Sequence, residues 1–241
     1  MLRVIAPTVL LLCLLSASAL AATITLLDLD DAGEGFNDTT AVVAVGGNTA
    51  TTLGGQREAA FARALELWGA ELVSDVEIIV GASFDELSCT ESSATLGAAG
   101  PATVSFDSDF SGAPYTDTVY PMALANSLAG EDLCPESNCP VTHYDIVAQF
   151  NSSLDGGGCL GGTTFYYGTD GSPGTGQLDF LSTALHELGH GLGFTTFIDL
   201  DDGTKFSATS GSETYYFDDH YMRWLEDHST GTGFADMTDA E

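Results

Sequence analysis

Hydrophobic residues recur along this chain at two spacings, and each spacing marks out a kind of element. Within residues 56–73, Phe61, Leu65, Trp68 and Leu72 fall at intervals of four, three and four. That spacing predicts an amphipathic helix that lays one face on a sheet, with Trp68 in the core. Leu178, Phe180, Leu181, Ala184, Leu185 and Leu188 repeat the pattern. They predict a second helix with a buried side, and Asp179 or Ser182 stands where its N-cap belongs. Gly189, Gly191 and Gly193 thin this helix out, and Gly193 is placed to end it in a left-handed turn. Shorter runs that alternate, or are rich in β-branched residues, predict strands at 23–29, 76–80, 102–106 and 145–150, joined by long Gly- and Ser-rich loops. Strand, long helix, strands and a second helix describe an α+β domain over residues 22–241, built on a twisted mixed sheet.

The first 21 residues belong to a different pattern. Arg3 precedes an apolar run at residues 9–15 and then Ala19-Leu20-Ala21, the arrangement of a signal peptide cut after Ala21 or Ala22. The run is too short for a permanent anchor, and no later segment approaches the roughly 20 residues needed to span a bilayer. The expected location is therefore outside the cytoplasm, secreted or periplasmic, with no membrane association after cleavage. Once Cys13 leaves with the signal, Cys89, Cys134, Cys139 and Cys159 remain, an even number that predicts two disulfides in an exported protein. Four cysteines allow three pairings; Cys134–Cys139 closing a small loop, with Cys89–Cys159, is one of them. A Cys₄ zinc site is the weaker reading, because paired two-residue spacings are absent.

Charge excludes several partners. The chain carries 35 acidic residues against five basic ones, a net charge of −30. Such a surface repels nucleic-acid phosphate and anionic membranes. A hydrophobic content of 44% supplies a core and excludes a disordered acidic chain. Asp28, Asp30 and Asp31, and again Asp199, Asp201 and Asp202 before Gly203, are candidate Ca²⁺ loops. Neither has EF-hand spacing, and solvated acidic loops are the preferred reading. The glycines at 33–35 and 46–47 lack a GxGxxG pattern or P-loop lysine, and Ser182 and Ser207 lack a Gly-x-Ser-x-Gly context.

The candidate chemistry lies on the second helix. Residues 186–194 read His-Glu-Leu-Gly-His-Gly-Leu-Gly-Phe. His186 and His190, four residues apart, project from one helical face, where two neutral imidazoles can reach one Zn²⁺. Glu187 beside them has the chemistry of a general base that accepts a proton from water attacking a peptide carbonyl.

The HExxHxxGF stretch resembles the active-site helix of the metzincin clan of zinc metalloproteases. The commonest pattern of that clan has a third histidine three residues after the glycine, and here that position is Thr196. The departure resembles the leishmanolysin-like branch, in which the third ligand comes later and precedes a methionine turn. His220 is then the candidate third ligand within this chain, with His228, Asp199, Glu213, Asp218 and Asp219 as further options. Met237 reads as an ordinary loop residue, and the resemblance implies a third ligand and methionine turn beyond Glu241. The segment 33–38, Gly-Glu-Gly-Phe-Asn-Asp, resembles the start of a group of secreted bacterial proteins with the same helix. The resemblance implies a zincin-like N-terminal subdomain, a zinc cofactor, protein or peptide substrates, and a strand along the cleft that pairs with extended substrate. Residues 145–151 are expected in that role, with Tyr166 and Tyr167 as either packing residues or cleft walls. The alternative to a peptidase is an extracellular binding or surface protein with a structural or inactive zinc site.

Overall fold

The stripe at Phe61, Leu65 and Trp68 folds as predicted, on the inner face of a long helix. The computed structural model describes residues 21–137, 139, 142–199 and 203–237, so the expected signal peptide lies outside them except for Ala21. In chain order, β1 (Ile24–Asp28) leads through a 3-10 turn at Gly35–Asn37 to α1 (Leu53–Glu71) and β2 (Ile78–Asp85). Next come β3 (Gly97–Pro101), β4 (Val104–Phe106), β5 (Thr118–Pro121) and a short helix α2 (Met122–Ala129). Then follow β6 (Ile146–Asn151), β7 (Thr164–Tyr166), β8 (Gln177–Asp179), the motif helix α3 (Phe180–Gly191), and the strands β9 (Phe206–Ser210) and β10 (Glu213–Asp219).

The strands form two main sheets, which makes the fold α+β with mixed sheets. The first has the order β1-β2-β6-β3, parallel except for β3, which runs antiparallel to β6. The second has the order β4-β5-β10-β9, with β5 and β10 parallel and the other pairs antiparallel. Alternation explains why the first sheet forms. Ile78, Val80, Ala82 and Phe84 of β2 and Ile146, Ala148 and Phe150 of β6 are buried, and Val80↔Ile146, Ala82↔Ala148 and Phe84↔Phe150 lie side by side in register. Against this face α1 places Phe61 and Leu65, and α3 places Phe180, Leu181, Ala184 and Leu188. Phe36, Phe61, Phe84, Phe150 and Phe180 interlock with centroids 4.9–5.6 Å apart. Each such burial contributes roughly 1.5–3 kcal/mol. Trp68 donates its Nε1–H to the Leu185 carbonyl at 3.0 Å, which fixes α1 to α3 as a packing residue.

Element boundaries shift for local reasons. Helix α1 starts three residues before residue 56, capped by Thr52 Oγ1 accepting from the Gly55 amide; Gly54 and Gly55 in its first turn disguise that start. The strand expected at 76–80 runs on to Asp85, because its small residues Gly81, Ala82 and Ser83 belong to the ladder and Gly81 faces the Tyr144 ring. The strand expected at 102–106 is β4 of the second sheet, and an unexpected strand, β3, precedes it in the first. The chain bends between them, where the Ala102 amide donates to the Asp145 carbonyl.

Two disulfides, Cys89–Cys159 and Cys134–Cys139, span Cα–Cα distances of 5.7 and 4.6 Å and select one of the three pairings. Among the described residues no helix is long and apolar enough to cross a membrane. One buried cation organises the loops above the core. Arg57, on α1 four residues before Phe61, donates to the Gly35 carbonyl at 2.7 Å and to Asp155 Oδ2 at 2.7 Å. Its guanidinium covers the Phe84 ring at 4.4 Å, and Tyr167 donates to the same Asp155 oxygen at 2.7 Å. Tyr166 and Tyr167 are both buried, so they are packing residues.

Candidate metal and catalytic site

Helix α3 is fixed at both ends, and this positions its polar face. At the start, Asp179 accepts from the Ser182 amide at 3.3 Å, which satisfies a free helix N–H. Along its buried side, Gly191 passes so close to β6 that a Cβ there would overlap Ile146. At the end, Gly193 takes φ +115°. Its amide donates to the His190 carbonyl at 3.1 Å, and the Phe194 amide donates to the Gly189 carbonyl at 3.0 Å. This pair of reverse bonds is the Schellman turn that the glycine spacing predicts.

The opposite face carries His186, Glu187 and His190. The two Nε2 atoms stand 3.2 Å apart, with the rings at 89°. Two nitrogens bound to one tetrahedral zinc at 2.0–2.1 Å would lie about 3.3–3.4 Å apart, so the pair fits one ion. The turn also selects the tautomer. His190 Nδ1 lies 2.9 Å from the Phe194 carbonyl, which can only accept, so Nδ1 carries the proton and Nε2 presents its lone pair. The donors present therefore fit two positions of a zinc site.

Glu187 is half-buried on the same face and lies against the edge of the first sheet: a Cβ built on Gly97 of β3 would stand 3.2 Å from Glu187 Cγ. This corrects the expectation for residues 145–151. Strand β6 is interior, bonded to β2 on one side and β3 on the other, and the edge strand beside the motif is β3. In the antiparallel ladder, Asn151 donates to Leu96 and Ala102 donates to Asp145. Residues 96, 98, 100 and 102 therefore turn their backbone groups inward, and Gly97, Ala99 and Pro101 turn theirs to the outer edge. Pro101, with no N–H, costs the ladder nothing at an outward position.

The structure does not bring the candidate third ligands to the pair. Among the described residues there is no group of three or more His, Cys, Asp or Glu side chains able to hold a metal. Thr196 donates its hydroxyl to Asp219 Oδ2 at 2.7 Å. Asp219 also accepts from the Phe197 and Met222 amides, which occupies its carboxylate. Asp218 pairs with Lys205 and Arg223, Glu213 accepts from the Tyr215 hydroxyl, and His228 is exposed. His220 is half-buried among aromatic rings. Its ring lies 5.3 Å from Tyr120 and its Nδ1 is buried without a hydrogen-bond partner, and burial pushes its pKa down.

In the first candidate Ca²⁺ loop, Asp28 and Asp30 are taken up by protein donors. Asp30 accepts from the Phe36 and Phe84 amides at 2.7 and 2.9 Å, and Asp28 accepts from Asn37 and from the Asp30 amide. In the second, Asp201 and Asp202 lie outside the described residues.

Sequence reasoning missed the Thr196–Asp219 pair and the β3 edge. A buried Asp beside a hairpin leaves no periodic signature, and a Gly-Ala-Ala-Gly-Pro strand reads as a loop. No family model, no curated protein and no solved structure matches this chain.

Proposed function

We propose that this protein is an exported, zinc-dependent metalloendopeptidase of metzincin-like type. The single observation that carries the reading is the convergence of the His186 and His190 Nε2 atoms at 3.2 Å, with the His190 tautomer set by the Phe194 carbonyl. His186 and His190 would hold the zinc, together with a further ligand. When bound, the ion supplies Lewis acidity toward a peptide carbonyl and acidifies water. Glu187, one residue along the same face, receives the proton of the attacking water and returns it to the leaving amine. The outward amide of Ala99 and the carbonyls of Gly97 and Ala99 offer main-chain bonds to an extended polypeptide beside Glu187. Small side chains along β3 leave the backbone of that edge open to approach. The two disulfides agree with work outside a reducing compartment.

The test is cleavage of unfolded casein by the zinc-loaded protein. Turnover that is abolished in Glu187→Ala, with zinc retained, is the expected result. Zinc retention without turnover on any peptide library would instead mark an extracellular binding protein.

A further inference from the structure

We infer that Asp219 is a positioning residue for the histidine pair, acting on His190 through the segment that leaves α3; this rests on the metal-site reading above. Asp219 ends β10 and is 2% exposed. Its strand is registered on β5, with Asp219 opposite Val119, so the carboxylate is built into the second sheet. Oδ2 accepts from Thr196 Oγ1 at 2.7 Å and from the Phe197 amide at 2.8 Å, and Oδ1 accepts from the Met222 amide at 2.7 Å. A buried carboxylate with three donors is held in one orientation, because losing any donor would leave charge uncompensated.

The consequence travels two residues. Phe194 is held on one side by its amide bond to Gly189 and on the other by the anchored Thr196 and Phe197. Its carbonyl is therefore fixed where it receives the His190 Nδ1–H at 2.9 Å. That bond sets the ring rotation and leaves the Nε2 lone pair facing His186. Thr196 thus has a task at the position where the commonest metzincin pattern has a ligand. It ties the exit of the motif helix to the second sheet.

The experiment uses three variants of the full chain. Thr196→Val keeps the shape and the Phe197 amide bond but removes the hydroxyl, Thr196→Ser keeps the hydroxyl, and Asp219→Asn removes the charge. Zinc affinity is read by competition with a chelating dye, and the His190 tautomer by ring ¹⁵N–¹H correlation NMR on the metal-free protein. Loss of an outer partner of a ligating histidine costs ~10–100-fold in metal affinity, so Thr196→Val should weaken zinc by about 10-fold while Thr196→Ser stays within about twofold. The metal-free Thr196→Val protein should show a mixture of His190 tautomers where the parent shows Nδ1–H alone. An unchanged tautomer in Thr196→Val, or an affinity within about twofold of the parent, overturns the inference. If Asp219→Asn does not fold, the Thr196 pair still decides. If the parent binds no zinc, the metal reading fails, and the tautomer alone decides the positioning role.

Discussion

The two sheets of this molecule are held together by the same forces in different proportion. The first sheet is apolar packing: Phe84 of β2 and Phe150 of β6 interlock with Phe36, Phe61 of α1 and Phe180 of α3. The second adds carboxylates to a smaller aromatic contact of Phe106 with Phe206 and Phe217: Asp218 pairs with Lys205 and Arg223, Asp219 gathers three donors, and most of β10 is exposed. The first sheet carries the proposed site, since α3 and the β3 edge belong to its layer. The second sheet fixes the path of the chain after α3. A packed face sets where a helix lies, and directional bonds to a buried carboxylate set how the segment beyond it is oriented.

The largest effect that would break this contrast is in the first layer. Phe180→Ala empties a fully buried site between Phe84, Phe150 and Tyr167. It should cost ~3–5 kcal/mol in denaturant unfolding. A loss below about 1 kcal/mol would mean that this layer does not dominate stability.

Next is Arg57→Met, which leaves Asp155 beside Tyr167 without its guanidinium. A loss of about 3 kcal/mol is expected by the same measurement, because one partner of a buried pair is stranded.

Third is pH. Asp145, 5% exposed, bonds the Ile79 amide and Asn126, and burial pushes its carboxyl up to about 6. Its folded value lies above the unfolded one, so the folded state binds the proton more tightly. The stability it contributes is present below its ordinary value of 3.8 and is lost as pH rises through about 6. Asp145→Asn should flatten the stability profile between these values, read as thermal midpoint against pH. An unchanged slope would contradict the assignment.

The smallest effect is in the hairpin of the second sheet. Tyr216, 62% exposed, should tolerate alanine within about 0.5 kcal/mol.

How much the sequence discloses follows the same division. The first layer was legible because Phe61, Leu65, Trp68 and the run from Phe180 to Leu188 repeat at helical spacing. The meeting of the His186 and His190 rings was legible because helical spacing alone brings residues four apart together. The Gly193 turn was legible too, since only glycine enters that backbone region at no steric cost. The role of Arg57 was within reach, because it extends the buried stripe of α1 by one turn in a chain poor in cations. The second layer was not legible. Residues 206–210 and 213–219 are mostly polar and exposed, and Phe206 and Phe217 alone are too few to announce an apolar face. The fate of Asp219 depends on Thr196, Phe197 and Met222 meeting in space, and pairwise directional bonds leave no period. The edge role was assigned to residues 145–151 because they read as the last strand before the motif helix, and that strand is also apolar. That same apolarity makes it the interior strand, and the bland Gly97–Pro101 segment takes the edge.

Whether the His186–His190 pair binds a metal is decided by calorimetric titration of the metal-free protein with zinc. One equivalent should bind, with affinity falling by at least ~10-fold in both His186→Ala and His190→Ala. A parent protein that takes up no zinc, or variants that bind it as tightly as the parent, would contradict the metal-site reading.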